Sequence, residues 1–454
     1  MPEMHDEMRD AGHLDTSRLA NKYRRAFKWR VSRGGDGIES GVAGAVHLAT
    51  SDYPEILEDY LYVSRKRRNN KTAISKLQLQ MLNDILVQER SIKHYKEKLS
   101  ADSDVSAPAA QNFIKSQVFA HGLISNTIRQ IGDGIAWRSF GYDRFTQRVL
   151  CSHPVKQTVL AEGTVAELDE WSSINDEQGR MAVFNALTNC IGIGDITAVD
   201  ANGDVELIEV KSGKGKGGRL VRQKNRLKHA AGILNTGTGV VEGKSITSGS
   251  LPIVPKNYLA ELNTMLQQAG DDGWSSGLLA PHCHVECIDL KKLGKHDQVA
   301  PKLDEAYRRH TVKWNQDLAS RGCSLDAINF IPNVAPFSIF PFDDRTCIEL
   351  ATGAKFFTSH INAAEVIRQF EASGWLVECA LDEAIEKTKG EAVLIVTKGG
   401  FFCHIPPGDF AKLQFEMLDP STLIDECELI SGSDPKIAGG YGVWTYAGEA
   451  AQWN

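Results

Sequence analysis

The residues best suited to chemistry are Asp195, Glu209 and Lys211, which lie within one short stretch of the chain. Between the two acids, Ala201-Asn202-Gly203 reads as a three-residue hairpin loop in which Gly203 takes the left-handed conformation. That loop predicts that Asp195 lies opposite Glu209 on the neighbouring strand. Because side chains alternate along a strand, Glu209 and Lys211 share a face, and this register places Asp195 on that face too.

Two carboxylates at cross-strand distance repel each other unless a cation lies between them, and hard oxygen ligands suit Mg²⁺ or Mn²⁺. We expect Asp195 and Glu209 to hold the ion and Lys211 to orient the attacking water and the phosphate during phosphodiester hydrolysis. The competing interpretation is a surface hairpin with solvated charges. Isoleucine and valine around Glu209 favour a buried strand, where charge without a metal or partner is costly.

The elements that must position these residues follow from hydrophobic periodicity. Residues 165–174 predict a helix, and residues 181–187, 193–199 and 205–210 predict three short strands. Residues 218–234 return to a helical pattern. The predicted order is therefore helix, strand, strand, strand, helix.

This arrangement resembles the PD-(D/E)XK nuclease superfamily, whose core has a helix, a strand, an Asp-bearing hairpin with Glu-x-Lys on its second strand, and another helix. The resemblance covers about residues 165–241. Two positions depart from it: Gly194 stands where the family has proline, and Leu227 follows Gln223 where one subgroup has tyrosine. The resemblance implies a restriction-endonuclease-like mixed sheet, DNA as the substrate, and a role in defence against foreign DNA or in repair.

The resemblance also implies an additional metal ligand, a glutamate from the first helix. Glu167 and Glu170 are both candidates if that helix covers 165–174, and Glu177 becomes the candidate if it covers 177–187 instead. Gln223 would contact a phosphate or help to position Lys211, although an exposed surface glutamine is nearly as good an interpretation.

A basic segment follows the motif and contains no Asp or Glu between Lys211 and Val241. On the predicted helix, Arg219, Arg222 and Arg226 recur along one stripe, which would track phosphates beside the cutting site. A solvated helical face is the alternative. The candidate nucleic-acid-binding residues are Lys214, Lys216, Arg219, Arg222, Gln223 and Arg226.

Composition limits the remaining interpretations. The 454 residues carry a formal net charge of −7, so bulk electrostatics do not favour nucleic acid and any such surface must be local. No apolar run approaches the roughly 18 residues needed to cross a bilayer, and the polar N-terminus lacks the pattern of a secretory signal. Nine cysteines without framework spacing predict reduced thiols. We expect a cytoplasmic protein.

The length favours several domains. We predict an α/β protein with a mostly helical N-terminal region (1–155), a nuclease domain (156–300) and a separate mixed α/β C-terminal domain (301–454). In the last region, residues 362–373 and 381–387 predict helices, and residues 392–397 and 400–404 predict strands.

Four further signals are weaker. The loop at 237–245 has the wrong spacing for phosphate binding and does not lead into a helix. Residues 282–287 carry His, Cys and Glu but alternate like a strand, with no second pair at zinc-site spacing. His404 is expected in the core or at a sheet edge, and the basic run 65–68 in a solvated loop.

The sequence thus predicts a Mg²⁺- or Mn²⁺-dependent endonuclease acting on DNA. The alternative is a catalytically silent nucleic-acid-binding or scaffold protein that keeps the fold for its basic helix. A homodimer would suit the cutting of both strands, and the flanking regions could respond to an activating ligand or protein partner. RNA as the substrate stays open.

Overall fold

Helices form the N-terminal part of the described chain: α1 (Tyr53–Lys66), α2 (Lys71–Ala101), α3 (Pro108–Ser139) and α4 (Arg144–Leu150). Hydrophobic spacing predicts helices over about residues 72–99 and 111–138. The long helices α2 and α3 confirm both predictions and pack along each other. The structure, a computed structural model, describes residues 53–101, 108–151, 164–177, 179–210, 218–241, 244–293, 299–314, 319–324, 334–379, 393–431, 441–446 and 453.

The predicted chemistry lies on five consecutive elements: α5 (Thr164–Asp176), β1 (Met181–Phe184), β2 (Ile196–Val199), β3 (Val205–Ile208) and α6 (Gly218–Thr236). The strands form an antiparallel sheet in the order β1-β2-β3. This confirms the predicted order of elements. The alternative helix over 177–187 is wrong, because residues 181–184 pair with β2 and residues 185–187 form one 3-10 turn.

The rest of the described chain alternates strands and helices: β4 (Thr238–Val241), β5 (Lys244–Leu251), α7 (Leu259–Asp272), β6 (Trp274–Ala280), β7 (Cys283–Asp289), α8 (Leu290–Leu293), α9 (Val299–Thr311), β8 (Ala319–Cys323), α10 (Asp344–Thr352), β9 (Lys355–Asn362), α11 (Ala363–Ala372), β10 (Leu376–Cys379), β11 (Leu394–Lys398), β12 (Phe401–Ile405), α12 (Pro407–Phe415), α13 (Pro420–Ser431) and β13 (Tyr441–Tyr446). Elements α11, β11 and β12 confirm three predictions. The helix predicted over 381–387 lies outside the described residues.

These strands build three further sheets. The largest is antiparallel with the order β6-β7-β9-β8. Strand β5 pairs antiparallel with β4 and parallel with β13, whereas β10, β11 and β12 form an antiparallel meander. The mixed α/β class is therefore confirmed. Residues 237–245 mostly form strands β4 and β5, in agreement with the rejection of a phosphate-binding loop.

The hydrophobic core runs through the regions that the sequence analysis separates. Leu61, Phe184 and Phe357 belong to one cluster of buried residues. Strand β7 pairs with β9 from Cys283↔Ile361 to Asp289↔Lys355, so the predicted boundary at residue 300 falls inside this sheet. None of the described helices is both long and apolar enough to cross a membrane.

Arg65 corrects the expectation of a solvated basic loop at 65–68. It lies in the last turn of α1, and its guanidinium donates to the carbonyl oxygens of Ser338 (3.1 Å), Phe342 (2.8 Å) and Phe340 (2.6 Å). It also forms a salt bridge of 2.7 Å with Asp344. Because these partners use its donors, Arg65 ties α1 to the turn before α10.

Candidate carboxylate metal site

The hairpin between β2 and β3 has the predicted register. Ile196 pairs with Ile208, and Val199 pairs with Val205. The Asp200 N–H donates to the Asp204 carbonyl oxygen at 3.1 Å, and Gly203 has a φ of 88°, which is the left-handed conformation that the loop requires. Asp195, just before Ile196, and Glu209, just after Ile208, therefore lie one step beyond the last strand pair.

The Asp195 carboxylate turns toward the backbone at Glu209. Its Oδ2 accepts a hydrogen bond of 2.8 Å from the Val210 N–H, whose nitrogen is bonded to the Glu209 carbonyl carbon. The Asp195 N–H donates to the Ile208 carbonyl oxygen at 2.9 Å, an acceptor that a regular ladder would give to the Ile196 N–H. The hairpin thus ends in a local irregularity that holds the Asp195 side chain beside the Glu209 backbone.

Gly194 adopts a backbone conformation that excludes proline, and it lies against Leu227. Its φ is 76°, which proline cannot adopt because its ring fixes φ near −65°. A Cβ at this position would lie 3.0 Å from the Ile208 carbonyl oxygen and 3.3 Å from Cδ2 of Leu227. Leu227 therefore packs against Gly194 and leaves little room for a side chain at that position.

The segment before β2 is fixed by side-chain hydrogen bonds. Asn185 Nδ2 donates to the carbonyl oxygens of Ile193 and Gly194, each at 3.1 Å, and its Oδ1 accepts from Thr197 Oγ1 at 2.9 Å. The Asn185 N–H also donates to the Asp195 carbonyl oxygen at 3.0 Å. This fully buried asparagine is thus a positioning residue for Asp195.

Asp133 on α3 holds the preceding turn. Its Oδ1 accepts from the backbone N–H groups of Asn189 (2.6 Å) and Cys190 (2.8 Å), and its Oδ2 accepts from Asn189 Nδ2 (3.0 Å). Burial raises the pKa of Asp133 to about 6 although these hydrogen bonds favour its charged form. Asp133 and Asn185 could not be found from the sequence, because neither residue belongs to a local motif.

A negative cluster forms between Asp195 and helix α5. Burial raises the pKa of Asp195, while the hydrogen bond from Val210 opposes the shift. Burial also raises the pKa of Glu167, and the nearby charge of Asp195 adds to this effect. Within the described part of the chain, neither carboxyl forms a salt bridge. Two acidic groups that are partly removed from water and repel each other suit a bound cation.

The three candidate glutamates on or just after helix α5 differ in their exposure and in their partners. Glu167 is half-buried and lies close enough to Asp195 to feel its charge, whereas Glu170 is exposed. Glu177 follows the end of the helix and forms a salt bridge of 2.9 Å with Arg180. The geometry therefore favours Glu167 over the other two as an additional ligand.

The described carboxyl groups do not form a closed cage. Among the described residues, a set of three with ligand atoms within 4.8 Å of one another is found at His284, Glu286 and His360, and not at Asp195, Glu209 and Glu167. Mg²⁺ commonly keeps several waters and uses only one or two protein carboxylates, so an open arrangement of oxygens fits this ion.

Helix α6 packs on β3 and carries the basic surface. Lys224, Arg226 and Lys228 are exposed, and Gln223 is half-buried. Lys228 and His229 line an open groove of about 470 Å³ between α6 and β4. The other basic residues predicted for the site are not fully described. Lys211, Lys214 and Lys216 lie outside the described residues, and for Arg219 and Arg222 only the backbone is described.

No protein-family model matches the chain, and no curated protein or solved structure matches it either. The interpretation of the site therefore depends on the geometry and the chemistry of its own residues.

Proposed function

We propose that this protein is a divalent-metal-dependent endonuclease that hydrolyses phosphodiester bonds in DNA, and that α5, the β1-β2-β3 sheet and α6 form a restriction-endonuclease-like core. The observation that carries the proposal is the hairpin register, which brings Asp195 to the backbone of Glu209. The position of Glu167 beside Asp195 supports it.

In this proposal, Asp195 and Glu209 hold the ion and Glu167 supplies a further oxygen, directly or through water. A bound Mg²⁺ or Mn²⁺ would supply Lewis-acid stabilisation of charge on the phosphoryl oxygens and lower the pKa of a bound water. Lys211, two residues after Glu209, would orient that water and neutralise the phosphate. Gln223 on α6 would contact the phosphate or Lys211.

The basic face of α6 would contact the substrate backbone. The sequence around it has eight basic residues and no acidic one from Lys211 to Val241, in a chain with a formal net charge of −7. Phosphate contacts of this kind fix position without reading sequence and weaken as salt rises. We therefore expect DNA binding that depends on salt more than on base sequence.

The experiment is a cleavage assay on linear duplex, circular, single-stranded and RNA substrates, each with Mg²⁺, Mn²⁺ or chelator. We expect divalent-dependent cleavage of at least one DNA form, lowered about 100- to 1000-fold by Lys211→Ala. The matched control is Lys96→Ala, an exposed lysine on α2, away from the basic face of α6. Binding of DNA without divalent-dependent cleavage, together with indifference to Lys211→Ala, would instead indicate a silent nucleic-acid-binding or scaffold protein.

A further inference from the structure

A second cluster of metal-ligating groups lies on the four-stranded sheet, independent of the proposed nuclease site. His284 on β7 pairs with His360 on β9, and Glu286 lies two residues along β7 on the same face. One ligand atom from each residue lies within 4.8 Å of the other two. All three side chains are buried, with relative exposures of 0% for His284, 9% for Glu286 and 7% for His360.

The hydrogen bond between His284 and Ser276 uses one ring nitrogen of His284 and leaves the other able to bind a metal ion. Its Nε2 lies 3.0 Å from Oγ of Ser276 on β6, while its Nδ1 is buried and has no hydrogen bond to any described residue. If Nε2–H donates to Ser276, then Nδ1 keeps its lone pair. Outer hydrogen bonds of this kind orient histidines that bind metals. A buried nitrogen without a partner otherwise costs free energy.

The distance between the side chains of His360 and Glu286 fits two ligands of one metal ion better than it fits a hydrogen bond. His360 Nε2 and Glu286 Oε2 lie 3.4 Å apart, which is long for a charge-assisted hydrogen bond. Two atoms bound tetrahedrally to one zinc ion at about 2.1 Å each would lie roughly 3.4 Å apart.

We propose that His284 Nδ1, Glu286 Oε2 and His360 Nε2 bind a transition-metal ion of the zinc class, which ties β7 to β9 beneath helix α9. Two imidazole nitrogens and one carboxylate favour Zn²⁺ and related ions over Mg²⁺, which prefers oxygen ligands.

Helix α9 covers the site and offers a fourth nitrogen. It packs on β6 and β7, and the His310 ring centroid lies 5.3 Å from that of His284. His310 Nδ1 is buried and has no hydrogen bond among the described residues. Tyr307, one turn earlier, lies against His360 with a ring separation of 4.5 Å. The ion would therefore stabilise the docking of α9 on the sheet.

The test is Co²⁺ and Zn²⁺ binding by the full chain after chelation, followed by visible absorption for Co²⁺ and metal content for Zn²⁺. We expect about one ion per chain, with the absorption of a four-coordinate site. His360→Ala and Glu286→Gln should weaken binding more than about a hundredfold, and Ser276→Ala about tenfold. Zn²⁺ should raise the melting temperature of the wild-type protein and not that of His360→Ala.

Two control variants test whether the metal binds at the histidine cluster and not elsewhere on the protein. His404→Ala removes a half-buried histidine of β12 and should leave binding unchanged, as should Asp195→Asn in the carboxylate site. Circular dichroism of each metal-free variant identifies any that fails to fold, and Glu286→Gln keeps the side-chain shape. Equal affinities of wild type and His360→Ala, or no binding by a folded wild-type protein, would overturn the proposal and leave a hydrogen-bonded His360–Glu286 pair.

Discussion

The carboxylate hairpin and the histidine cluster differ in how the chain assembles them. Asp195 and Glu209 come from the two arms of one hairpin, so a turn fixes their relation. His360 and Glu286 are 74 residues apart and meet only because β7 and β9 pair. A local site can thus be read from spacing, whereas a site made by long-range strand pairing needs the fold.

The two sites also differ in their chemistry. The hairpin offers hard oxygens at the partly open end of a small sheet, which suits a hydrated ion that exchanges and meets a substrate. The cluster offers nitrogen ligands buried below α9, which suits an ion that stays in place. We therefore expect loss of the first site to abolish activity and loss of the second to lower stability.

The largest expected effect is the loss of DNA cleavage in the Glu209→Gln variant. The amide keeps the shape but removes the negative charge, so the rate constant should fall about a thousandfold. The matched control is Glu206→Gln, three residues earlier on the other face of β3 and exposed, which should change the rate less than about twofold. A rate for Glu209→Gln that equals the control would remove this residue from the site.

The next effect concerns the Asp133 contact that supports the hairpin. Asp133→Ala leaves three donors without their acceptor, so the free energy of unfolding should fall by about 2–4 kcal/mol. Urea denaturation measures this loss. A change below about 0.5 kcal/mol would mean that water replaces the carboxylate.

The pH dependence of that contact has a definite sign. The pKa of Asp133 is about 6 in the folded protein, above its ordinary value of 3.8, so its contribution to stability is greatest below pH 3.8 and declines as pH rises through 6. Asp133→Asn, which keeps the Oδ1 acceptor, should flatten the stability profile between these pH values. An unchanged slope would indicate that another group titrates there.

These supporting contacts mark the limit of what the sequence could predict. The turn at Asn202-Gly203 follows from local backbone rules, and the register confirmed it. The alternation of Glu209 with Lys211 stays a prediction, because Lys211 lies outside the described residues. Helices α2 and α3 were predictable because their apolar residues recur along one face. Arg65, Asp133 and His360 were not, because their partners lie far away in the chain and no periodicity records such contacts.

A smaller effect on cleavage should distinguish Glu167 from Glu170, both on α5. Glu167→Gln should lower cleavage about tenfold, because in our proposal this carboxyl, which lies near Asp195, supports the ion directly or through its water. Glu170→Gln, an exposed position on the same helix, should have no effect beyond about twofold. Steady-state rates over a Mg²⁺ titration would measure both, and a larger effect at Glu170 would reverse the assignment.

The smallest effect should be a gain in stability from Asp195→Asn. Burial raises the pKa of Asp195, so its ionisation opposes folding as pH rises above the ordinary range for aspartate. The amide keeps the acceptor for the Val210 N–H without the charge. We expect a slightly higher melting temperature at pH 8 in chelator and no difference at pH 4, measured by differential scanning fluorimetry. A lower melting temperature at pH 8 would argue against a destabilising buried charge at Asp195.

The central claim is that Asp195 holds a catalytic divalent ion, and single-turnover cleavage of duplex DNA tests it most directly. Wild type and Asp195→Asn would be compared across a Mg²⁺ titration, with Asp204→Asn in the hairpin loop as the matched control. We predict saturable, Mg²⁺-dependent cleavage by wild type and the control, and in Asp195→Asn a loss of about a thousandfold, as in Glu209→Gln. Cleavage by Asp195→Asn at the wild-type rate, or cleavage that persists in chelator, would contradict the account.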